Sequence, residues 1–254
     1  MKVLITGATS GIGRALVERF IMHGHHVIAC GRSEEKLKAL QNDFSEGLDC
    51  LCFDITKPEE ISTQLALVTT IDIAILNAGD CEYIQDVMAF DASLFERIIN
   101  INLVAMGHLL AQVLPKVSSH GQLGLMSSSV TYLPFPKAQA YGASKAGIDY
   151  LAKSMALELK QHNIGVSLIK PGFIKTPLTD KNDFSMPFLM SSEKAALRIY
   201  RGLLLKKNQI VFPKRFIFLM KLIAILPKSF WQWVSDLTNT KKTNKNVTDK
   251  ETVK

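Results

Sequence analysis

The chain has 254 residues, of which 47% are hydrophobic and 21% charged, a composition typical of a soluble protein with a sizeable core. This length fits one large α/β domain or two small ones, and no stretch reaches the roughly 18 unbroken apolar residues of a membrane span. The net charge of +7 is uneven, because residues 1–193 hold 16 bases and 20 acids whereas residues 194–235 hold nine bases and no acid.

Strand-like and helix-like segments alternate along the chain. Apolar runs predict seven strands, which are Val3–Thr6, His26–Cys30, Leu48–Phe53, Ile71–Asn77, Gly121–Ser127, Gly165–Lys170 and Gln209–Phe212. Amphipathic stretches predict the helices Arg14–His23, Ser33–Phe44, Pro58–Val68, Ser93–Leu114, Gln139–Gln161 and Ser192–Lys206. Continuous apolar strands alternating with helices indicate a parallel sheet covered on both faces. We therefore predict an α/β fold with one doubly wound domain over residues 1–238, followed by a disordered basic tail at 239–254.

The cysteines and histidines indicate the redox compartment of the protein and whether a metal site is expected. The four cysteines, Cys30, Cys50, Cys52 and Cys81, show no CxxC spacing, so we expect buried free thiols in a reducing cytoplasm. The first predicted strand starts so early that it leaves no room for a signal peptide. The six histidines are scattered and form no ligand pattern, so no metal site is predicted.

The first strand runs into a glycine-rich turn, Thr6-Gly7-Ala8-Thr9-Ser10-Gly11-Ile12-Gly13, and then into a helix. In this context Gly7 allows a tight turn, while Gly11 and Gly13 let the backbone approach a pyrophosphate at the helix amino terminus. The spacing is GxxxGxG rather than GxGxxG, and a merely close-packed turn is the alternative. The predicted cofactor contacts in this loop are Gly7, Ser10, Gly11, Ile12 and Gly13.

The ends of the next strands indicate which cofactor fits. NAD binding requires an acidic residue at the end of the second strand, for the ribose 2′-OH, and this strand ends in Gly31-Arg32 instead. Arg32 can clamp a 2′-phosphate with help from Ser10, which favours NADP(H). NAD(H) is the alternative if Arg32 is only a solvated loop charge. Further predicted cofactor contacts at the third and fourth strand ends are Asp54, Ile55, Asn77, Ala78 and Gly79.

A candidate catalytic group lies in the middle of the chain. Tyr141 and Lys145 are four residues apart on a predicted helix, so their side chains share one face. A neighbouring ammonium and an oxidised nicotinamide would lower the phenol pKa, so that Tyr141 can act as general acid or base. Ser128, 13 residues before Tyr141, can hydrogen-bond a substrate oxygen. Its neighbours Ser127 and Ser129 are open alternatives for that role.

These motifs together resemble the short-chain dehydrogenase/reductase family. The resemblance covers roughly residues 1–180 and a later strand, and it rests on Thr6-Gly-xxx-Gly-Ile-Gly13, Asp54, Asn77-Ala-Gly79, Asn102, Ser128, Tyr141-xxx-Lys145 and Pro171-Gly172. It implies a Rossmann fold and an NADP(H)-dependent oxidoreductase that interconverts a small-molecule carbonyl and a secondary alcohol. The catalytic residues implied are Asn102, Ser128, Tyr141 and Lys145, with Asn100 as the alternative to Asn102.

The resemblance implies further roles. Tyr141 and Lys145 would also contact the nicotinamide ribose, and the loop after the sixth strand would contact the cofactor through Pro171, Gly172, Ile174 and Thr176. Residues 177–192 occupy the place of a substrate lid. Their apolar, Met-rich character suggests a hydrophobic substrate, and simple packing of these residues on the body explains it equally well. A homodimer or homotetramer is implied, through the helices that bear Asn102 and Tyr141.

The segment 214–237 is apolar, aromatic and basic. Its apolar run Phe216–Leu226 is too short to span a bilayer, and the interleaved bases are typical of an interfacial helix. Contact with an anionic membrane surface is one interpretation, and a helix packed over the substrate pocket or a subunit interface is the other. Nucleic acid is not expected as a partner. A non-catalytic dinucleotide sensor is the alternative to an enzyme, although a sensor has no need of the Ser-Tyr-Lys set.

Overall fold

A computed structural model of the chain describes residues 1–44, 46–182, 184, 186–227, 229 and 231. The strands among them are β1 Lys2–Thr6, β2 His26–Gly31, β3 Leu48–Cys52, β4 Ile71–Leu76, β5 Val117–Met126, β6 Gly165–Pro171, β7 Ile174–Lys175, β8 Met190–Ser191 and β9 Gln209–Phe212. Seven of them form one parallel sheet in the order β3-β2-β1-β4-β5-β6-β9. The predicted doubly wound, seven-stranded parallel sheet is confirmed. The predicted tail at 239–254 lies outside the described residues.

Helices cover both faces of this sheet. They are α1 Gly11–Ile21, α2 Glu34–Asp43, α3 Pro58–Leu65, α4 Ala92–Ile99, α5 Ala105–Val113, α6 Gln139–Leu159, α7 Ser192–Leu204 and α8 Lys214–Ile225. Helices α1, α2 and α7 pack on one face, and α3, α5 and α6 pack on the other. The carboxyl ends of all the parallel strands therefore meet along one edge between these layers, where ligands of such sheets bind.

The alternation of side chains along β1 builds the two layers of the core. Val3 and Ile5 point towards Phe20 of α1, whereas Leu4 points to the opposite face and belongs to the cluster of Ile148 from α6. Successive side chains of a strand face opposite sides, so an apolar strand stabilises both layers at once. This explains why the strands read as unbroken apolar runs.

The predicted helix Ser93–Leu114 contains a π-helical turn at Asn100–Val104, between α4 and α5. The apolar pattern runs through this turn without a break, so the sequence gives no sign of it. Among the described residues, one helical stretch, Ala92–Lys116, is long and apolar enough to cross a membrane, judged by length and composition alone. The core helix of a soluble protein has the same features, and this stretch packs on α3 and α6.

Two further features differ from the sequence predictions. The short strands β7 and β8 pair in parallel and tie together the ends of the loop at 176–189. All four cysteines are free thiols as predicted, but only Cys30 is buried, whereas Cys50 and Cys81 are half-buried and Cys52 is exposed. Cys50 and Cys52 lie on β3, the edge strand of the sheet, which helices cover less completely than the central strands.

Candidate active site

The glycine-rich loop after β1 is packed too closely for side chains at its glycines. Gly7 has φ of +64°, and an added Cβ would lie 2.9 Å from the Cα of Ala78. An added Cβ at Gly13 would collide with the carbonyl oxygen of Gly7, and one at Gly11 would lie 2.9 Å from the methyl carbon of Thr176. The loop therefore brings its backbone against the carboxyl end of β4 and the loop after β6, which leaves a narrow cradle at the start of α1.

The amino terminus of α1 is left open for an anion. Ser10 is the N-cap residue, but its exposed hydroxyl makes no capping hydrogen bond, and the first turn of the helix holds no acidic residue. Unpaired N–H groups and the helix dipole favour a negative charge at such a terminus. Ile12 is half-buried against the core and anchors the loop from below.

The Asn77 side chain braces the glycine loop. Its amide Nδ2 donates to the carbonyl oxygens of Thr6 at 3.0 Å and Gly7 at 3.3 Å, and its backbone N–H donates to the Thr6 hydroxyl at 3.0 Å. The backbone N–H of Ala78 donates to the same hydroxyl at 3.1 Å. The structure thus gives Asn77 a bracing position between β4 and the loop, in addition to its place in the crevice.

The end of β2 carries a base and no acid. Arg32 is exposed, and it lies close enough to Asp54 for its charge to act on that carboxyl group. Burial alone would raise the pKa of Asp54, but hydrogen bonds from Thr56 and the charges of Arg32 and Lys57 outweigh it and lower the pKa. The ends of β2 and β3, with Ile55 beside them, therefore line one side of the same crevice.

Ser128 and Tyr141 come together at the carboxyl end of β5, close enough for the Ser128 hydroxyl to favour the phenolate of Tyr141. The pKa of Tyr141 is raised, because burial disfavours the phenolate and nearby Cys81 adds to this, while the Ser128 hydroxyl opposes it only in part. The sequence argument expected a lowered pKa, and for the protein without its cofactor that expectation is wrong. Burial of the phenol outweighs the neighbouring ammonium.

Lys145 is buried at the same place. Its ammonium Nζ donates to the carbonyl oxygen of Met126 at 3.0 Å and lies 5.7 Å from the centre of the Tyr141 ring. Burial lowers the pKa of Lys145 to about 8, against the opposing influence of Cys81 and Asp149. The two predicted partners on α6 therefore share one face, as their spacing indicates.

Asn102 lies in the π-helical turn and is buried, whereas Asn100 is exposed. The Asn102 side chain accepts from the Asp80 N–H at 2.8 Å, and its Nδ2 donates to the Asp80 carbonyl oxygen at 2.9 Å and to the Ser144 hydroxyl at 3.0 Å. An added Cβ at Gly79 would lie 2.7 Å from Asn102 Oδ1 and 3.3 Å from Lys145 Nζ. Geometry therefore favours Asn102 over Asn100 and explains the glycine at position 79.

The loop after β6 divides its contacts between two sides. Thr176 faces the glycine loop, while Pro171 and Ile174 are buried in the body. Gly172 instead packs against α8, because an added Cβ there would lie 3.0 Å from the Phe216 ring. The need for glycine at position 172 is thus explained by the packing of α8.

The sequence analysis missed two side chains beside Tyr141. Cys81 acts electrostatically on Tyr141, and both Cys81 and Tyr141 act on Tyr83. Burial raises the pKa of Cys81 to about 11 and also raises the pKa of Tyr83. Their position just after Gly79, at the carboxyl end of β4, was the available signal.

Aromatic rings form a run from this site to α8. Tyr83 packs edge-on against Phe184, which contacts Phe173, and Phe173 contacts Phe216 of α8. Phe216 also contacts Phe188 in the lid region. One wall of the site is therefore apolar. Among the described residues, no three His, Cys, Asp or Glu side chains are grouped so as to hold a metal ion.

Comparisons with known proteins agree with this geometry. A 3-oxoacyl-[acyl-carrier-protein] reductase FabG from Rickettsia bellii is 37% identical over 182 residues, which cover 70% of this chain and 74% of the relative. A short-chain dehydrogenase from Streptomyces avermitilis superposes with a TM-score of 0.78 over 97% of this chain and 98% of its own, at 20% identity. A serine dehydrogenase complexed with NADP+ superposes with a TM-score of 0.76 at 24% identity, covering 84% of this chain and 94% of its own.

The two structural likenesses show the fold alone. A family model described as short chain dehydrogenase matches residues 1–185, which are most of the chain and include every predicted catalytic and cofactor-binding residue. Together with the 37% identity to the Rickettsia reductase, this match settles the family. The chain belongs to the short-chain dehydrogenases, oxidoreductases that interconvert carbonyl and alcohol groups.

Proposed function

We propose that the chain is an NADP(H)-dependent carbonyl reductase acting on a hydrophobic small molecule. The observation that carries this proposal is the grouping of Ser128 with Tyr141 at the carboxyl end of β5, with the Lys145 ammonium 5.7 Å from the centre of the Tyr141 ring. A dinucleotide sensor on the same fold would have no use for this group. Free thiols at all four cysteines support a reducing compartment such as the cytoplasm.

The cradle fits a dinucleotide, and its charges favour NADP(H). The narrow loop at Gly7, Gly11 and Gly13 leaves room for a pyrophosphate at the start of α1. Arg32 and the uncapped Ser10 hydroxyl offer donors for a 2′-phosphate, and the end of β2 has no acid to bind a 2′-OH. The NADP+ complex of the structurally similar serine dehydrogenase is consistent with this choice.

The chemistry that NADPH supplies when bound is a hydride for the carbonyl carbon. Ser128 is placed to hydrogen-bond the substrate oxygen and stabilise its developing charge. Tyr141 is protonated at neutral pH because its pKa is raised, so it can donate the proton that this oxygen requires. Lys145, cationic below pH about 8, then stabilises the phenolate. This protonation pattern suits reduction better than oxidation.

The surroundings of Tyr141 support a hydrophobic substrate. The aromatic run of Tyr83, Phe184, Phe173 and Phe216 forms one wall. The segment at 177–192 contributes Phe184 and Phe188 to these aromatic contacts, which supports its proposed role as a lid within one catalytic domain at 1–238. The Rickettsia relative is named for a 3-oxoacyl thioester, and acyl chains are among the substrates that an apolar wall would accept.

Replacement of Tyr141 tests the assignment. In Tyr141→Phe, carbonyl reduction should fall by roughly 10²–10⁴-fold, since the general acid is lost, while NADPH binding stays within about twofold. The readout is NADPH absorbance with a panel of carbonyl compounds, together with NADPH titration by fluorescence. Tyr200→Phe is the matched control. The Tyr200 phenol contacts His25 and lies on the face of the sheet that α1 covers. Full activity of Tyr141→Phe would refute the proposal.

The proposed partners are lipid and a second copy of the chain. We propose that the outer face of α8, which carries apolar residues and the exposed bases Lys214 and Arg215, contacts an anionic membrane surface. The absence of any acid from residues 194–235 of the sequence supports this charge preference. Homo-oligomerisation would use the helices that carry Asn102 and Tyr141.

A further inference from the structure

A buried carboxylate lies directly behind the candidate catalytic group. Asp149 of α6 is 8% exposed, and three donors surround it. The Thr131 hydroxyl lies 2.8 Å and the Lys170 ammonium 2.6 Å from its Oδ2, and the Ser127 hydroxyl donates to its Oδ1. These donors come from the end of β5, the turn that follows β5, and the end of β6. One side chain thus joins the segments on which the site is built.

Two of the donors flank Ser128. The Thr131 hydroxyl lies 3.1 Å from the Ser128 carbonyl oxygen, and the Ser127 hydroxyl lies 3.3 Å from the carbonyl oxygen of Lys145. The backbone before and after Ser128 is therefore held against α6 at the turn that carries Lys145. If Asp149 were absent, the Ser127 and Thr131 hydroxyls would lose their common acceptor group, and the backbone at Ser128 would be held less firmly.

The charge of Asp149 acts in the same place. Lys170, which is buried, pairs with it and lies 3.8 Å from the centre of the Tyr132 ring. Asp149 also faces Lys145, where its negative charge opposes the loss of the ammonium proton. The other titratable group that acts on Lys145 in the same sense is Cys81, from the loop after β4.

Further bases lie behind the ion pair. Lys153 of α6 and Lys221 of α8 repel Lys170, and together with burial they lower its pKa, while Asp149 opposes them. Asp149 thus balances a group of positive charges that includes Lys145 and Lys170. A buried ion pair of this kind is often neutral for stability, so stability alone does not explain it.

We infer that Asp149 is a positioning residue for the reduction, which fixes Ser128 through Ser127 and Thr131 and keeps Lys145 cationic through its charge. The inference rests on the proposed function, and it adds a residue whose side chain contacts neither substrate nor cofactor. The competing interpretation is a purely structural ion pair between Asp149 and Lys170.

Replacement by the isosteric amide separates these interpretations. Asp149→Asn removes the charge and keeps one acceptor oxygen, which serves either Ser127 or Thr131 because the two hydroxyls donate to different carboxylate oxygens. Without the negative charge, Lys145 should lose its proton at a lower pH. We expect kcat to fall by roughly tenfold and the alkaline limb of its pH profile to move to lower pH by about one unit. The KM for NADPH should stay unchanged. An unmoved alkaline limb would overturn the inference.

A second variant separates the effect of the lost charge on catalysis from its effect on folding stability. Asp149→Asn leaves Lys170 buried without a counter-charge, which by itself destabilises the protein. The double variant Asp149→Asn with Lys170→Met removes both charges and should restore the melting temperature, while the shifted limb persists. If the double variant instead regains the wild-type kcat and pH profile, the pair is structural and the inference is wrong.

The proposed function is checked in parallel. The wild-type protein must turn over a carbonyl compound with NADPH, and Tyr141→Phe must not. If both hold while Asp149→Asn keeps the wild-type pH profile, the inference alone fails. If the wild type has no turnover, the proposed function fails and the inference falls with it.

Discussion

Tyr141 and Lys145 share one face of α6, yet burial moves their pKa values in opposite directions. Burial raises the pKa of the phenol and lowers that of the ammonium to about 8, because in both cases the charged form is disfavoured. Near neutral pH the phenol therefore holds its proton while the ammonium still carries its charge. This is the state that a proton donor in carbonyl reduction needs.

The wild-type pH profile follows from this state. We expect kcat/KM for carbonyl reduction to fall as the pH rises through about 8, because Lys145 loses the proton that stabilises the phenolate. Initial rates between about pH 6 and 10 at saturating NADPH measure this limb. Lys145→Arg, which keeps its charge throughout, should weaken or remove the limb. A wild-type rate that stays flat to pH 10 would contradict the prediction.

Arg32 carries the predicted choice between the two nicotinamide cofactors. Arg32→Ala should raise the KM for NADPH by roughly tenfold or more, because a charge-assisted bond to the 2′-phosphate is lost, and should leave the KM for NADH nearly unchanged. Steady-state rates with both cofactors provide the measurement. Lys36→Ala, an exposed base on α2, controls for the general loss of positive charge. Equal increases in the KM values of NADPH and NADH would show that Arg32 does not contact the 2′-phosphate.

Among the helices, α8 has two apolar faces. Phe216, Ile217 and Met220 are buried against the turn after β5, whereas Phe218 is 70% exposed and Ile225 is 82% exposed on the opposite side. Both interpretations of the carboxyl-terminal segment therefore fit, each on one face. The inner face packs on Gly172 and the aromatic wall, and the outer face has no covering element among the described residues.

Vesicle binding tests the outer face of α8. The full-length protein should co-sediment with phosphatidylcholine vesicles that contain phosphatidylglycerol, and binding should fall with salt and in pure phosphatidylcholine, because each base contributes about 1 kcal/mol at an anionic surface. The variant Phe218→Glu with Ile225→Glu should lose binding. Leu67→Glu is the matched control, at a residue that is 73% exposed after α3. A changed oligomeric state with unchanged vesicle binding would assign this face to a subunit contact instead.

Across the whole molecule, the sequence pattern predicted those features that depend on neighbouring residues. The glycine loop and the seven sheet strands were predictable because apolar runs and turns follow from neighbouring residues. The π-helical turn at Asn100–Val104 was not, since the apolar pattern continues through it. Asp149, Lys170 and Cys81 were missed because their importance arises from contacts between distant segments. The raised pKa of Tyr141 was also unpredictable, because burial is a property of the folded chain.

The assembly of the molecule is testable on α6. Tyr150 and Leu157 are 78% and 81% exposed and lie seven residues apart on one side of this helix. Two such faces would pack together in a symmetric dimer, so Leu157→Glu should shift the protein towards the monomer in size-exclusion chromatography with light scattering. Met22→Glu, an exposed position on the turn after α1, should leave the mass unchanged. A monomeric wild type would exclude the dimer.

The pairing of β7 with β8 has a consequence for the lid proposed at 177–192. It holds Ile174 beside Met190, so the two ends of the segment between them are joined in the folded chain. The entropy lost in bringing these ends together is then lost once, on folding. If the segment acts as the proposed lid, each catalytic cycle would need only local rearrangements within a closed ring, which are fast compared with the ordering of a free segment.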